Sequence, residues 1–326
     1  MANILVTGAG GFIGGALARR LLDEGHTVRA VDIKPREHWY QAHDDAENRF
    51  ECDVSVQDNA ASATDGMNEV YNLAADMGGM GFIENNKAAC MLSVLISTHV
   101  LEEARKNGVE RFFYSSSACV YAADKQTDTD VTALKEADAY PAMPEDGYGW
   151  EKLFSERLCR HYREDFGMYT RVARYHNVYG PHGTWDGGRE KAPAAICRKV
   201  AAAKASGNLE IEIWGDGEQT RSFMYIDDCV DGTRKIMDSD IEYPINLGSS
   251  ELVSINQLVS IVEEIAGVTL QRNYKLDAPL GVRGRNSDNT LIQQELSWEP
   301  SIKLRDGLEK TYAWIHAEMT AGAVSL

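Results

Sequence analysis

The amino-acid sequence predicts an α/β protein, a doubly wound parallel sheet carrying a second, smaller lobe. Short apolar runs alternate with amphipathic ones from Asn3 onward, the pattern of parallel strands with helices on both faces. A glycine-rich turn joins the first apolar run to the first amphipathic one. The alternation stops near Tyr179, and a chain of 326 residues is long enough for two domains, or for one large domain with an added lobe.

Taken in order, residues 4–6, 27–31, 50–53, 70–73, 111–115 and 170–174 read as short buried strands. Between them, 12–23, 88–106 and 148–166 have the spacing of amphipathic helices. A glycine-rich stretch, 180–188, precedes a helix at 192–205; residues 227–237, 244–248 and 255–266 then read as helix, strand and helix. The segment 281–289 is polar, basic and glycine-bearing, and is expected to be a binding loop rather than a core element. This assigns 1–178 and 223–247 to the sheet domain, and 179–222 and 248–326 to the smaller lobe.

With 44% hydrophobic residues the chain can build a sizeable core. Thirty-three lysines and arginines face 50 acidic residues, a net charge of −17, which disfavours nucleic acid or an anionic membrane as partner. An anionic ligand would then need local cations. Six cysteines are spread without CxxC pairs or a Cys/His cluster, so neither a metal site nor a disulfide framework is expected. The N-terminus enters an apolar strand without a basic leader, and no apolar run reaches membrane-spanning length; a cytoplasmic protein with reduced thiols is the expectation.

Gly8, Gly11 and Gly14 form G-x-x-G-x-x-G at the first strand–helix junction, with Phe12 and Ile13 opening the helix. Glycine there permits a tight turn, close backbone approach to a pyrophosphate and close helix–strand packing, while the helix start offers free N–H groups. Asp32 ends the second strand where a ribose ligand belongs, and its carboxylate favours NAD over NADP. Asp53 and Val54, closing the third strand, can reach an adenine. Tyr148 and Lys152 lie four apart on one helical face. A cation one turn away, together with the positive nicotinamide, favours the phenolate, making Tyr148 a base for a hydroxyl proton. Ser117, after a strand, can hydrogen-bond the same hydroxyl.

With these residues, with Leu73, Ala74 and Ala75 after the fourth strand and with 175–181 (YHNVYGP), the sequence resembles the extended short-chain dehydrogenase/reductase family, across essentially the whole chain. The resemblance implies a Rossmann sheet, bound NAD, a nucleotide-sugar substrate held by the smaller lobe, and a homodimer built through helices of the sheet domain. Narrower marks are 74–82 (AADMGGMGF), 116–119 (SSAC), 187–193 (GGREKAP), 214–223 (WGDGEQTRSF) and 282–289 (VRGRNSDN). They resemble the members that epimerise GDP-mannose at C3 and C5 to GDP-L-galactose and GDP-L-gulose. Ser115, Tyr121, Ala122 and Trp150 depart mildly from that pattern.

The chemistry implied is transient oxidation at C4, which acidifies the C3 and C5 protons, followed by inversion and re-reduction. Inversion needs an acid–base group on each face of the ring. Cys119 shares a side with Ser117, since residues two apart in extended chain point alike, and nearby cations are expected to lower its pKa. Lys191, from the other lobe, can approach the opposite face. The expected catalytic set is Ser117, Cys119, Tyr148, Lys152 and Lys191. Arg221, Arg285 and Lys199 address the diphosphate. Gly78, Ala118, Asn177, Glu190, Ala192, Gln219 and Thr220 complete the substrate contacts, and no metal is expected. The alternatives are a nucleotide-sugar 4-epimerase or 4,6-dehydratase, or a non-catalytic dinucleotide-binding regulator.

Overall fold

In the computed structural model, which describes residues 1–279 and 281–324, the first strand β1 (Asn3–Thr7) is almost wholly buried. It leads through the glycine turn into α1 (Phe12–Asp23). β2 (Thr27–Val31), β3 (Glu47–Arg49), α2 (Gln57–Thr64), β4 (Glu69–Asn72), α3 (Met80–Asn85), α4 (Lys87–Lys106), β5 (Arg111–Ser117), α5 (Tyr148–Phe166) and β6 (Tyr169–Tyr175) continue the alternation. After β7 (Val178–Tyr179) come α6 (Ala192–Ser206), β8 (Glu210–Trp214), β9 (Thr220–Ser222), β10 (Met224–Tyr225), α7 (Ile226–Asp238) and β11 (Ile245–Leu247). The chain ends with β12 (Leu252–Ser254), α8 (Ile255–Ala266), β13 (Gln271–Lys275), β14 (Gly284–Arg285), α9 (Thr290–Leu296) and α10 (Leu304–Val324).

Seven strands form one parallel sheet in the order β11-β6-β5-β4-β1-β2-β3. From β1 the chain adds strands outward to β3, then returns to lay β4 on the other side. Such a reversal opens a crevice at the carboxyl ends of β1 and β4, where ligands of open α/β sheets bind. Strand residues alternate between two apolar layers. Ile4, Val6, Tyr71, Phe113 and Ala173 face one cluster that includes Leu17 and Leu21 of α1 and Ile236 of α7. Leu5, Val70, Phe112, Tyr114 and Val172 face the other, with Val100 and Leu101 of α4 and Cys159 of α5. Helix ends follow sequence chemistry: Ser254 and Gln257 make a reciprocal cap on α8, and left-handed Gly167, Gly207 and Gly267 stop α5, α6 and α8.

Beyond the large sheet, β9 pairs with β12 and β14, while β8 and β13 form a parallel pair. Two expectations are corrected here. The third strand is β3, and residues 50–53 are irregular: Phe50 turns its ring edge onto Trp39 at 4.7 Å, and Glu51 takes a left-handed φ of 52°, which breaks the ladder. The segment 281–289 is more than a loop, because it contains β14 and buries Arg285, Ser287 and Asn289. Its polarity is satisfied internally; the Asn289 amide, for instance, donates to the Gly248 carbonyl at 2.8 Å. Leu280 and the last two residues of the 248–326 segment lie outside the described residues. No helix among the described residues is long and apolar enough to cross a membrane.

Candidate active site

The crevice begins at the glycine turn. Gly8 has φ 70°, and a Cβ there would sit 2.9 Å from the Ala74 nitrogen, so the turn and the chain after β4 are in backbone contact. A Cβ on Gly14 would strike the Gly8 carbonyl oxygen, which fixes how closely α1 approaches β1. Gly11 is the N-cap of α1 and has no capping side chain, leaving the helix start open to an anion, with Phe12 and Ile13 behind it. The Asp32 carboxylate accepts from the Gly10 N–H and the Lys34 N–H, both at 3.0 Å, tying the end of β2 to the turn. The Leu73 and Ala74 N–H groups both donate to the Thr7 hydroxyl at 3.2 Å, and Ala75 follows them along the crevice. This cradle fits a dinucleotide pyrophosphate, with a carboxylate at the ribose end. Asp53 lies in a turn, accepting from the Ser55 N–H at 2.9 Å, and Val54 is in the core.

Further along, β5 delivers Ser117 and the α5 N-terminus delivers Tyr148 and Lys152. The Ser117 hydroxyl accepts from the Cys119 N–H at 3.2 Å and also faces the Tyr148 phenol. Ala118, Cys119, Tyr148 and Lys152 are all buried, and the Lys152 Nζ lies 5.5 Å from the Tyr148 ring centre. One electrostatic expectation, that for Cys119, is corrected, while at Tyr148 the protein's own groups oppose the phenolate that Lys152 and the nicotinamide together were expected to favour. Burial, with Cys119 and Glu151 nearby, pushes the Tyr148 phenol well above its ordinary value, so Lys152 alone does not favour phenolate. Burial and the Glu145 carboxylate likewise push the Cys119 thiol up to about 11, outweighing Arg285. Lys191, N-cap of α6, has its ammonium pushed down by burial while feeling the charges of Cys119, Arg285 and Cys229. The two groups thus face one site, and each is moved toward its neutral form.

Arg285 is 5% exposed and aims at Cys119: Nη1 is 3.5 Å from Sγ, Nε donates to Gln126 at 2.6 Å, and Nη2 pairs with Glu145 at 3.4 Å. Arg221 lies beside it; burial and the Arg285 charge pull its pKa down to about 9, and it donates to the Thr220 and Val282 carbonyls. A buried and a partly buried guanidinium this close favour an anion between the lobes. Lys199 does not join them, since its Nζ donates to the Glu212 carbonyl at 2.9 Å. Nor does Glu190, whose carboxylate accepts from the Gly188 N–H and from Arg198. The Asn177 amide is committed to the Ser222 carbonyl at 3.1 Å, and the Thr220 hydroxyl to Thr129 at 2.6 Å. Gln219 donates to the Trp214 carbonyl, but its buried Oε1 accepts from no group among the described residues, as suits an acceptor for a ligand's donor group.

Gly78 and Ala192 sit where two loops meet. The Gly79 N–H donates to the Arg189 carbonyl at 3.0 Å, Arg189 pairs with Asp76 at 2.6 Å, and its guanidinium lies 3.7 Å from the Phe82 ring centre. Gln126, Glu145, Glu151, Asp76 and Arg189 were not singled out from the sequence. Asp76 and Arg189 sit in motifs already noted, and Glu151 lies between Tyr148 and Lys152.

A family model described as "NAD dependent epimerase/dehydratase family" matches residues 4–248. GDP-mannose 3,5-epimerase 1 of Oryza sativa subsp. japonica is 52% identical over 319 residues, 97% of this chain and 82% of that protein. GDP-mannose 3,5-epimerase of Arabidopsis thaliana is 49% identical over 97% of this chain and 83% of its own. Among solved structures, UDP-glucose 4-epimerase of Thermotoga maritima with UDP-glucose superposes with a TM-score of 0.87 at 26% identity, covering 97% and 99% of the two chains. UDP-glucuronic acid 4-epimerase of Bacillus cereus, in complex with UDP-glucuronic acid and NAD, gives 0.81 at 26%, with the same coverage. With the glycine turn, Asp32, Ser117, Tyr148 and Lys152 placed as the sheet requires, the chain belongs to the NAD dependent epimerase/dehydratase family.

Proposed function

We propose that the protein is a GDP-mannose 3,5-epimerase, converting GDP-mannose to GDP-L-galactose and GDP-L-gulose. One observation carries this beyond the family: Cys119 and Lys191 come from different lobes to the site that holds Tyr148, and Arg285 reaches the same thiol. A 4-epimerase has no use for a second acid–base pair, and a 4,6-dehydratase needs a carboxylic acid where Ala118-Cys119 stand. The identity to the two plant enzymes supports the same reading.

NAD, held by the glycine turn and Asp32, supplies a reversible oxidation at C4 of the sugar. Tyr148, steadied by Ser117 and Lys152, takes the O4 proton during that oxidation and returns it at the end. The ketone turns a carbanion at C3 or C5 into an enolate, so protons there become exchangeable. Cys119 and Lys191 move those protons from opposite faces. In the resting site the proton stays on sulfur, and the Lys191 ammonium gives up its proton more readily than usual. Arg221 and Arg285 neutralise the diphosphate in an otherwise acidic chain.

Incubation with GDP-mannose in deuterated water tests the reading. The expected result is deuterium at C3 and C5 of inverted products, without added oxidant. Inversion at C4 alone, loss of water, or no change would each sink it.

A further inference from the structure

The buried acid beside the catalytic lysine has no part in the chemistry above, yet four groups from three elements converge on it. Glu151 Oε1 accepts from Ser97 of α4 at 3.2 Å, Tyr114 of β5 at 3.1 Å and Ser155 of α5 at 3.0 Å. Oε2 is buried and accepts no hydrogen bond among the described residues; the Lys152 Nζ stands 3.7 Å from it. Three hydroxyl donors on one oxygen suit a carboxylate, because the ionised form accepts without having to donate. Lys152 is sealed in as well, with its Nζ also 4.8 Å from the Tyr114 ring centre.

We infer that Glu151 is a positioning residue: its buried carboxylate fixes Lys152 behind Tyr148 and offsets the lysine's charge there. This rests on Tyr148 being the base at O4. An unpaired lysine at this depth would act on the phenol with its full charge; paired, it delivers less. The other groups facing Tyr148 are Ser117 at the end of β5, Cys119 just after it, and Cys90 of α4, which itself faces Asp76 and Arg189. Cys119 and Cys90 are thiols that, like Glu151, disfavour the phenolate, so the tyrosine keeps its proton in the resting enzyme. Deprotonation is thereby reserved for the state in which the cationic nicotinamide lies alongside.

Glu151→Gln keeps the shape and an acceptor for the three hydroxyls but removes the charge. The readout is the near-ultraviolet tyrosinate band of the purified holoenzyme across alkaline pH, taken as the difference between each protein and its Tyr148→Phe counterpart. Without the carboxylate the phenolate is favoured, so Glu151→Gln should show more Tyr148 tyrosinate than wild type at every pH below full ionisation. Its rate of C4 oxidation with GDP-mannose should peak at lower pH. Glu151→Asp keeps the charge and should follow wild type, which serves as the measurement should the glutamine variant not fold. Equal or less tyrosinate in Glu151→Gln, or more in Glu151→Asp, overturns the assignment. The tyrosinate measurement uses no sugar, so it stands or falls separately from the epimerase reading.

Discussion

Cys119 and Lys191 show what a residue name does and does not reveal. Cys119 was expected beside Ser117 from the alternation of extended chain, but Ala118–Val120 form a 3-10 turn capped by Ser117, and the thiol's protonation state was hidden too, because Glu145 reaches it from 26 positions further along the chain. The same holds for Arg285. Its charge pointed to an anion, yet its partners Gln126, Glu145 and Cys119 could be named only after folding. A thiol held near 11 is mostly protonated at neutrality, so alkylation of Cys119 by iodoacetamide should be slow there and rise about tenfold per pH unit toward that value. A plateau below pH 9 would contradict the assigned environment. Cys119→Ser and Lys191→Ala should each lower inversion by roughly 10²-fold or more, the usual worth of a positioned acid or base. Neither should prevent C4 oxidation, since Tyr148 and Lys152 are untouched. Proton NMR in deuterated water reads the first effect, and cofactor absorbance after mixing with GDP-mannose reads the second.

Among elements, those with a strong period and a chemical stop were legible. Helices α1, α5 and α8 have the predicted bounds, and left-handed glycines follow the last two. What escaped depended on distant pairing. β14 is only two residues long and exists because β9 lies beside it. β8 did carry a signal, the alternation Glu210-Ile211-Glu212-Ile213, but its partner residues in β13 are 61 positions further along. The two loops that meet over the site were each noted as motifs, with no hint that they bind each other. Their ion pair is half-exposed and worth about 1 kcal/mol at most; stacking on Phe82 adds about 0.5–1 kcal/mol. Losing 1–2 kcal/mol of loop order should weaken binding by roughly 5–30-fold. Arg189→Ala should therefore reduce GDP-mannose affinity by that factor in calorimetric titration, with NAD affinity held. A loss confined to NAD would place this contact at the other ligand.

For the whole molecule, the surface of the sheet domain is unfinished. Met91, Leu92 and Leu95 on α4 and Trp150 and Phe154 on α5 are exposed, Leu92 by 61% and Phe154 by 51%. The two helices pack against each other, and Trp150 and Phe154 lie four apart on one face of α5. Clustered apolar side chains of this size mark an interaction surface rather than ordinary scatter. We propose that a second copy covers it, helices against helices, giving the homodimer that the family resemblance implies. The same two helices back the active site, because α5 begins at Tyr148 and α4 supplies Ser97 to Glu151. Each side chain gains roughly 1.5–3 kcal/mol on full burial, and a twofold axis counts every one twice. Replacing Leu92 and Phe154 by glutamate removes four such contributions per dimer and adds four negative charges where each chain already carries −17. Losing even half of one contribution at each position amounts to about 3 kcal/mol, more than a hundredfold in dimer affinity. Sedimentation velocity should therefore find wild type as a dimer and Leu92→Glu/Phe154→Glu as a monomer at micromolar concentration. Added salt should partly restore the variant's association by screening the acidic surfaces. A wild-type monomer, or a double variant that remains dimeric, would move the interface away from these helices.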